Sequence, residues 1–445
     1  MMFLLSCIVS GYFFPIAFTF LPPSLNSKQI IGVLGIIAFL LKSIREHSFS
    51  MSGKIITAAI IASVFSIWCF FSALVNNTGD NTYATYLVSF SVWLGGAYGT
   101  VALVKKYHGY CNLTLLSNYL MFVGVVQVVS AQMIDNIPAF QNFVDSFMDI
   151  GQRKLKEIDR IYGIGCALDS GGIRLACILL LVGGQIANNI KVTAKTSMVA
   201  LYLASFMIIT VLGNMISRTT IVGAALGLLY MFIFLGVSRR GILNSRQVKF
   251  YVTLTVLLVI VITICTVLYN SDENFRHSMR FAFEGFFNLV EEGEFRTDST
   301  DKLNGVMWIW PDNFRDWMIG TGWFGSWHFS TDVGYCRFIL YCGIIGFSIF
   351  SYFFISNGLS VMTKFKDFKV LSLLLISMSF VIWIKVATDL FFVNALLFCI
   401  DGDYDEDGNE IDWNGSGEDG EEESGQSRYL RRQLANWQTG SHFLH

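Results

Sequence analysis

Apolar runs close to 20 residues long recur from the start of the chain to residue 397, and no other feature constrains the fold as strongly. A helix rises about 1.5 Å per residue, so such a run matches the roughly 30 Å hydrocarbon core of a bilayer. Eleven runs lie near 2–20, 29–41, 55–75, 82–103, 115–134, 173–190, 196–213, 219–237, 250–268, 336–356 and 370–397. Backbone in hydrocarbon must satisfy its own hydrogen bonds, and the strict alternation of a transmembrane barrel is absent. The sequence therefore predicts an all-α, polytopic membrane bundle of about 11 transmembrane helices over residues 1–400, with a large outer loop. The first run has no basic residue before it and no clear cleavage site after it, which predicts a retained span rather than a removed signal.

Charged residues make up 14% of the chain and hydrophobic ones 53%, where soluble domains carry roughly 25% charge; a soluble domain is excluded. The net charge of −2 hides an asymmetry. Residues 401–423 hold twelve acidic side chains and no basic one, so the remainder has an excess of ten basic residues. These sit in short loops beside apolar runs, as expected at a membrane, and give no nucleic-acid footprint. The 401–445 segment reads as a solvated, disordered acidic tail. Its Asp403-Tyr-Asp405-Glu-Asp407-Gly408 copies the start of a calcium loop, but the twelfth position is Asn414 where such a loop needs glutamate. The nine cysteines show no ligand spacing and read as packing residues. Only Cys166 and Cys336, both expected on the outer surface, are candidates for a disulfide.

Lysine and arginine in alternate short loops set the orientation. One set of loops carries Lys42, Arg45 and Lys54; Lys105 and Lys106; Lys191 and Lys195; Arg239, Arg240, Arg246 and Lys249; and Lys364, Lys366 and Lys369. The positive-inside rule assigns these 14 residues to the cytoplasm and the long segments 135–172 and 269–335 to the opposite face. An odd span count would place the acidic tail outside as well, unless run 370–397, which contains Lys385 and Asp389, folds as a re-entrant pair.

Ionisable residues at or inside apolar runs are costly there and call for a partner or a function. Arg160 and Arg174 frame Arg160-Ile-Tyr-Gly-Ile-Gly-Cys-Ala-Leu-Asp-Ser-Gly-Gly-Ile-Arg174, and Arg218 lies in Ser217-Arg218-Thr219-Thr220. Arginines converging from different helices make a planar, permanently charged clamp suited to pyrophosphate, whereas each alone could equally snorkel or pair with a loop carboxylate. In the long outer loop, Arg276, Arg280, Glu284 and Arg296 precede Trp308 and Trp310. Trp308 and Trp323 are candidates to stack on sugar rings, with an interfacial belt of Trp308, Trp310, Trp317, Trp323 and Trp327 the competing reading. Gly320, Gly322 and Gly325 satisfy GxGxxG without a strand before them, so no dinucleotide site is expected. His328 and Asp332 then lie four residues apart as candidate general bases, with Arg337 close behind, although Asp332 and Arg337 also read as an ion pair.

The segments RIYGIGCALDSGGIRLA from Arg160, SRTTIVGAALGLL from Ser217 and GTGWFGSWHFSTDVGYCRFILYCGIIG from Gly320 resemble the bacterial O-antigen and capsular polysaccharide polymerases and the related O-antigen ligases. The resemblance covers roughly residues 30–397. It implies a multi-pass protein of the bacterial inner membrane, active on its periplasmic face. The implied reaction joins undecaprenyl-pyrophosphate-linked oligosaccharide repeat units, with membrane lipid and a chain-length regulator as partners. Arg174 and Arg218 would hold the pyrophosphate with Arg160 and Arg337 in support, and Asp332 or His328 would take the acceptor proton. Ligases of this group usually carry histidine where this chain has Asp332. Arginine neutralises pyrophosphate unaided, so neither cofactor nor metal is expected. Two other readings use the same residues: a ligase moving glycan onto a lipid A core, and a flippase or other transporter of lipid-linked sugar.

Overall fold

The computed structural model describes residues 1–22, 25–49, 51–149, 160–236, 244–325 and 328–402. Trp327, Arg239, Arg240 and the Asp403–Gly408 motif lie outside the described residues.

Among the described residues, eight helices are long and apolar enough to cross a membrane, and they match eight of the eleven runs. In chain order, α1 (Met2–Phe13) is short, and α2 (Ser27–Arg45), α3 (Gly53–Val75), α4 (Tyr86–His108) and α5 (Leu113–Asn136) are full length. After α6 (Pro138–Phe147) come α7 (Leu168–Asn188), the short α8 (Ile190–Ala194) and α9 (Thr196–Ile216). The α10 helix (Thr220–Met231) ends in a π-turn (Phe232–Gly236), and α11 (Ser245–Ser271) is the most exposed spanning helix. The long loop folds into α12 (Glu273–Ala282), α13 (Glu284–Glu291), α14 (Asp298–Val306) and α15 (Phe314–Ile319); α16 (Gly334–Lys364), α17 (Lys369–Ile382) and α18 (Phe391–Cys399) follow. No strand forms among the described residues beyond two isolated bridges. Asn26, Asn112 and Asn244 cap α2, α5 and α11 through side-chain oxygens that accept first-turn N–H groups, with reciprocal glutamine partners at Gln29 and Gln247.

Close approach of small residues packs the bundle where apolar burial has no advantage over lipid. A Cβ on Gly35 would meet the Gly95 carbonyl oxygen at 1.8 Å, and one on Gly223 would meet Ala176 at 2.3 Å, which joins α2 to α4 and α10 to α7 backbone to backbone. Aromatic rings fill the gap between α3, α4, α16 and α17. Phe65 stacks on Phe350 at 4.5 Å, and fully buried Trp383 lies against Phe338, Phe350 and Phe354.

The eleventh run is not a single helix. Its middle, 383–390, leaves helical geometry, and Trp383 turns its Nε1 onto the Thr388 carbonyl at 2.6 Å. From there α18 returns alongside α4, with Phe391 stacked on Phe90 and Asp401 bonded to Lys105 at 2.6 Å. Lys364 Nζ donates to the carbonyls of Leu397, Phe398 and Ile400. The pair is re-entrant, and the chain leaves on the face of the basic loops. Other contacts gather those loops at the same end: Lys54 reaches Ser360 and Thr363, and Lys249 reaches Ala194. Of the two foldings open to run 370–397, the re-entrant pair is the one present, and Gly402 stands at the end that carries the basic loops. A cysteine at Gly402 should react with an impermeant maleimide from the side that labels one at Glu46, and not from the side that labels one at Asp312.

Cys166 and Cys336 are both fully buried and free, which corrects their expected surface placement and removes the disulfide.

The glycine-rich segment of the long loop has a structural task. Inside α16, Gly343 adopts φ 67° and ψ 179°, and the helix breaks there. The freed carbonyls of Leu340, Tyr341 and Cys342 accept from Thr321 N, Gly322 N, Ser72 Oγ and Trp68 Nε1. Asp80 fixes the same turn by accepting the N–H groups of Phe324 and Gly325 at 2.7 and 2.6 Å. Partial burial raises the Asp80 pKa, but the hydrogen bonds from Thr82, Gly325 and Phe324 outweigh it and hold the carboxyl below its ordinary value. A depressed folded pKa contributes stability above the unfolded value of about 3.9, lost as pH falls through the folded value. Asp80→Asn should therefore cost about 1–2 kcal/mol at neutral pH. It should also flatten the acid limb of a thermal-stability profile in detergent.

Candidate functional site

The end opposite the basic loops carries the candidate residues, in two neighbouring clusters and one separate group. The first cluster surrounds a cavity of about 480 Å³ between residue 160, the α9–α10 junction and helices α12 to α14. Arg160 and Arg218 lie over the ring of Phe281, with guanidinium carbons 3.8 and 4.2 Å from its centroid. Both distances run to the same centroid, so the two guanidinium carbons lie no more than about 8 Å apart. Arg218 Nη2 pairs with Glu284 at 2.5 Å, while its Nε and Nη1 are buried without a hydrogen-bond partner. Arg280 is held by Glu291 through two bonds of 2.7 and 2.6 Å. His277, Asn288, Asp298, Ser299 and Lys302 complete the polar lining.

Arg174 belongs to a second, deeper cluster. Its guanidinium lies over Phe392 at 5.1 Å and donates to its own helix at Ser170 O, and its Nε is buried and unpartnered. Lys28, at the start of α2, sits 4.2 Å over Trp93, and Asp389, in the break between α17 and α18, lies within electrostatic reach of both cations. Tyr12 closes the floor by donating to the Phe392 carbonyl at 2.8 Å. Ion groups at this depth meet the condition that each have a partner.

Asp169 joins the clusters. Its Oδ1 accepts from Ser217 Oγ at 3.0 Å, Thr219 Oγ1 at 2.5 Å and Lys385 Nζ at 3.0 Å. It thus ties the start of α7 to the residues flanking Arg218 and to the α17–α18 break. Arg174 follows five residues later, about 7.5 Å down the helix.

Of the residues expected from sequence, Arg160 and Arg218 come together. Arg174 and Arg218, the expected clamp, stand in adjacent clusters. Arg337 lies elsewhere, 4.3 Å over Phe324 and bonded to its carbonyl at 2.6 Å. His328 stacks on half-exposed Trp323 at 5.6 Å, and Asp332 is exposed; neither lines the cavity. Trp308 begins an exposed stack with Trp310 and Trp317, at ring separations of 5.8 and 5.6 Å. This stack starts just past the end of α14, whose first residues line the cavity.

Sequence reading missed Lys28 and Phe281. Lys28 looks like a loop residue before an apolar run, and nothing local marks Phe281 among 40 phenylalanines. Asp389 was visible as a charge inside a run, without its partners.

No known protein family, curated protein or solved structure matches this chain.

Proposed function

We propose that the protein is a glycosyltransferase that polymerises polyprenyl-diphosphate-linked oligosaccharide units at the outer face of a bacterial inner membrane. The observation that carries this reading is the pairing of Arg160 and Arg218 around Phe281, with buried N–H groups of Arg218 lacking partners inside a multi-pass bundle. Unpaired guanidinium N–H groups are costly unless an anion meets them. A diphosphate bridging two guanidiniums supplies several acceptor oxygens, and its polyprenyl chain would rest in the lipid beside the bundle.

In this reaction the bond from the donor sugar's anomeric carbon to the diphosphate oxygen breaks. The same carbon bonds to a hydroxyl oxygen of the next lipid-linked unit, whose proton passes to a base. The leaving diphosphate gains negative charge, which the fixed arginines stabilise without reorganising. The tryptophan stack beyond α14 offers apolar faces for sugars of the chain being built. Among described residues the carboxylates lining the cavity are Glu284 and Asp298, which makes them better placed than Asp332 to receive the proton.

Purified protein supplied only with lipid-linked units should give a ladder of products. A single transfer that requires a lipid A acceptor would assign it as a ligase. The re-entrant α17–α18 pair with Asp389 at its break favours the transporter as second reading, because broken helices line transport sites. Cells lacking a flippase would strand lipid-linked units on the cytoplasmic face, whereas cells lacking the polymerase would accumulate single units outside.

A further inference from the structure

Glu284 stands where an anionic ligand of the Arg160–Arg218 site would stand. Its Oε2 takes Arg218 Nη2 at 2.5 Å, and its Oε1 accepts the N–H of Asp298 at 2.9 Å, the first residue of α14. Guanidinium and helix N-terminus are both anion-seeking groups, and one carboxylate here satisfies both. Its side chain is only 20% exposed and that of Arg218 18% exposed, so bulk water screens the pair weakly. The occupation is nevertheless incomplete, because a carboxylate on Nη2 leaves Arg218 Nε and Nη1 buried and unbonded. Arg160 lies over the same ring as Arg218.

We infer that Glu284 is an internal competitor for the anion site: a diphosphate takes its place on Arg218 and in doing so releases the start of α14. The inference rests on the reading of this site as a diphosphate site. A ligand with more charge and more acceptor oxygens than one carboxylate completes the bonding of Arg218 and reaches Arg160. A weakly charged ligand gains too little to displace Glu284. Selectivity for diphosphate thus comes from a threshold set by the chain's own side chain. The displaced carboxylate stays in the cavity beside the bound anion.

Release also travels along the loop. Beyond the Asp298 N–H, α14 is held by its Thr297 cap and by Leu303, which packs with Met307 against Val333 and Cys336. Freeing the first turn therefore loosens the end of α14 that lines the cavity and leaves its far end, next to the tryptophan stack, in place.

The test measures binding of inorganic pyrophosphate to the full-length protein in detergent. Glu284→Gln, which keeps the size and removes the charge, should bind about tenfold tighter than the parent. Arg218→Ala should bind at least tenfold more weakly, and adding Glu284→Gln to it should restore nothing. Hydrogen exchange at 297–300 gives the second readout: pyrophosphate should speed it in the parent, and in Glu284→Gln it should be fast already. Glu284→Asp, which keeps the charge, should behave as the parent does and controls for folding. Pyrophosphate binding that is unchanged or weaker in Glu284→Gln overturns the competitor role and leaves the diphosphate site standing. Absence of binding in both proteins overturns the site along with it.

Discussion

Arg218→Ala should lower the rate of product-ladder formation about a hundredfold, equivalent to nearly 3 kcal/mol of transition-state stabilisation. The reason is local. Arg218 lines the cavity and carries two buried N–H-bearing nitrogens without partners, and it is positioned from both sides by Ser217 and Thr219 on Asp169. Arg218→Lys keeps a charge but loses the planar fork, so it should retain an intermediate rate. Arg280→Ala should cost far less, because Glu291 already neutralises Arg280 and the pair is nearly half exposed. Full-length polymer from Arg218→Ala, with the protein folded and inserted, would contradict the catalytic role of this cavity.

Gly320→Ala should have the largest effect on stability, a loss of about 3 kcal/mol or more, read as a lower melting temperature in detergent. Gly320 has φ 87° and ψ 176°, a region open essentially to glycine alone, and an added Cβ would lie 2.3 Å from the Tyr341 carbonyl oxygen. The backbone on which that carbon would press is the one whose carbonyls are exposed by the break in α16, so it cannot retreat without opening those hydrogen bonds. Substitution of Gly305, which faces open space, is the matched control and should change little. An unaltered melting temperature for Gly320→Ala would mean that the turn does not brace the broken helix.

The spans were legible because hydrophobic length reports directly on bilayer thickness, and the loop parity was legible because lysine and arginine mark one face. Three runs show where that reasoning stops. Residues 2–20 stop being helical after Phe13, α10 runs into a π-turn, and 370–397 folds back on itself. Nothing in the apolar letters distinguishes a helix that crosses from a pair that turns. The turn at 383–390 depends on partners far away in sequence: Asp169 for Lys385, and Tyr335 for the Trp383 carbonyl. The arginines were legible as costly charges next to apolar runs. Their grouping was not, because Arg160 and Arg218 are brought together by a phenylalanine more than 60 residues after the second of them. The GxGxxG spacing was visible, but its use as a backbone brace requires knowing that α16 breaks at Gly343.

Binding of undecaprenyl diphosphate to the purified protein tests the arginine site most directly. The expected result is saturable binding that inorganic pyrophosphate competes away, and that falls at least a hundredfold in the Arg160→Ala/Arg218→Ala double variant without loss of folding. Equal affinity for undecaprenol, which has the chain and no phosphate, or an unchanged affinity in the double variant, would contradict it.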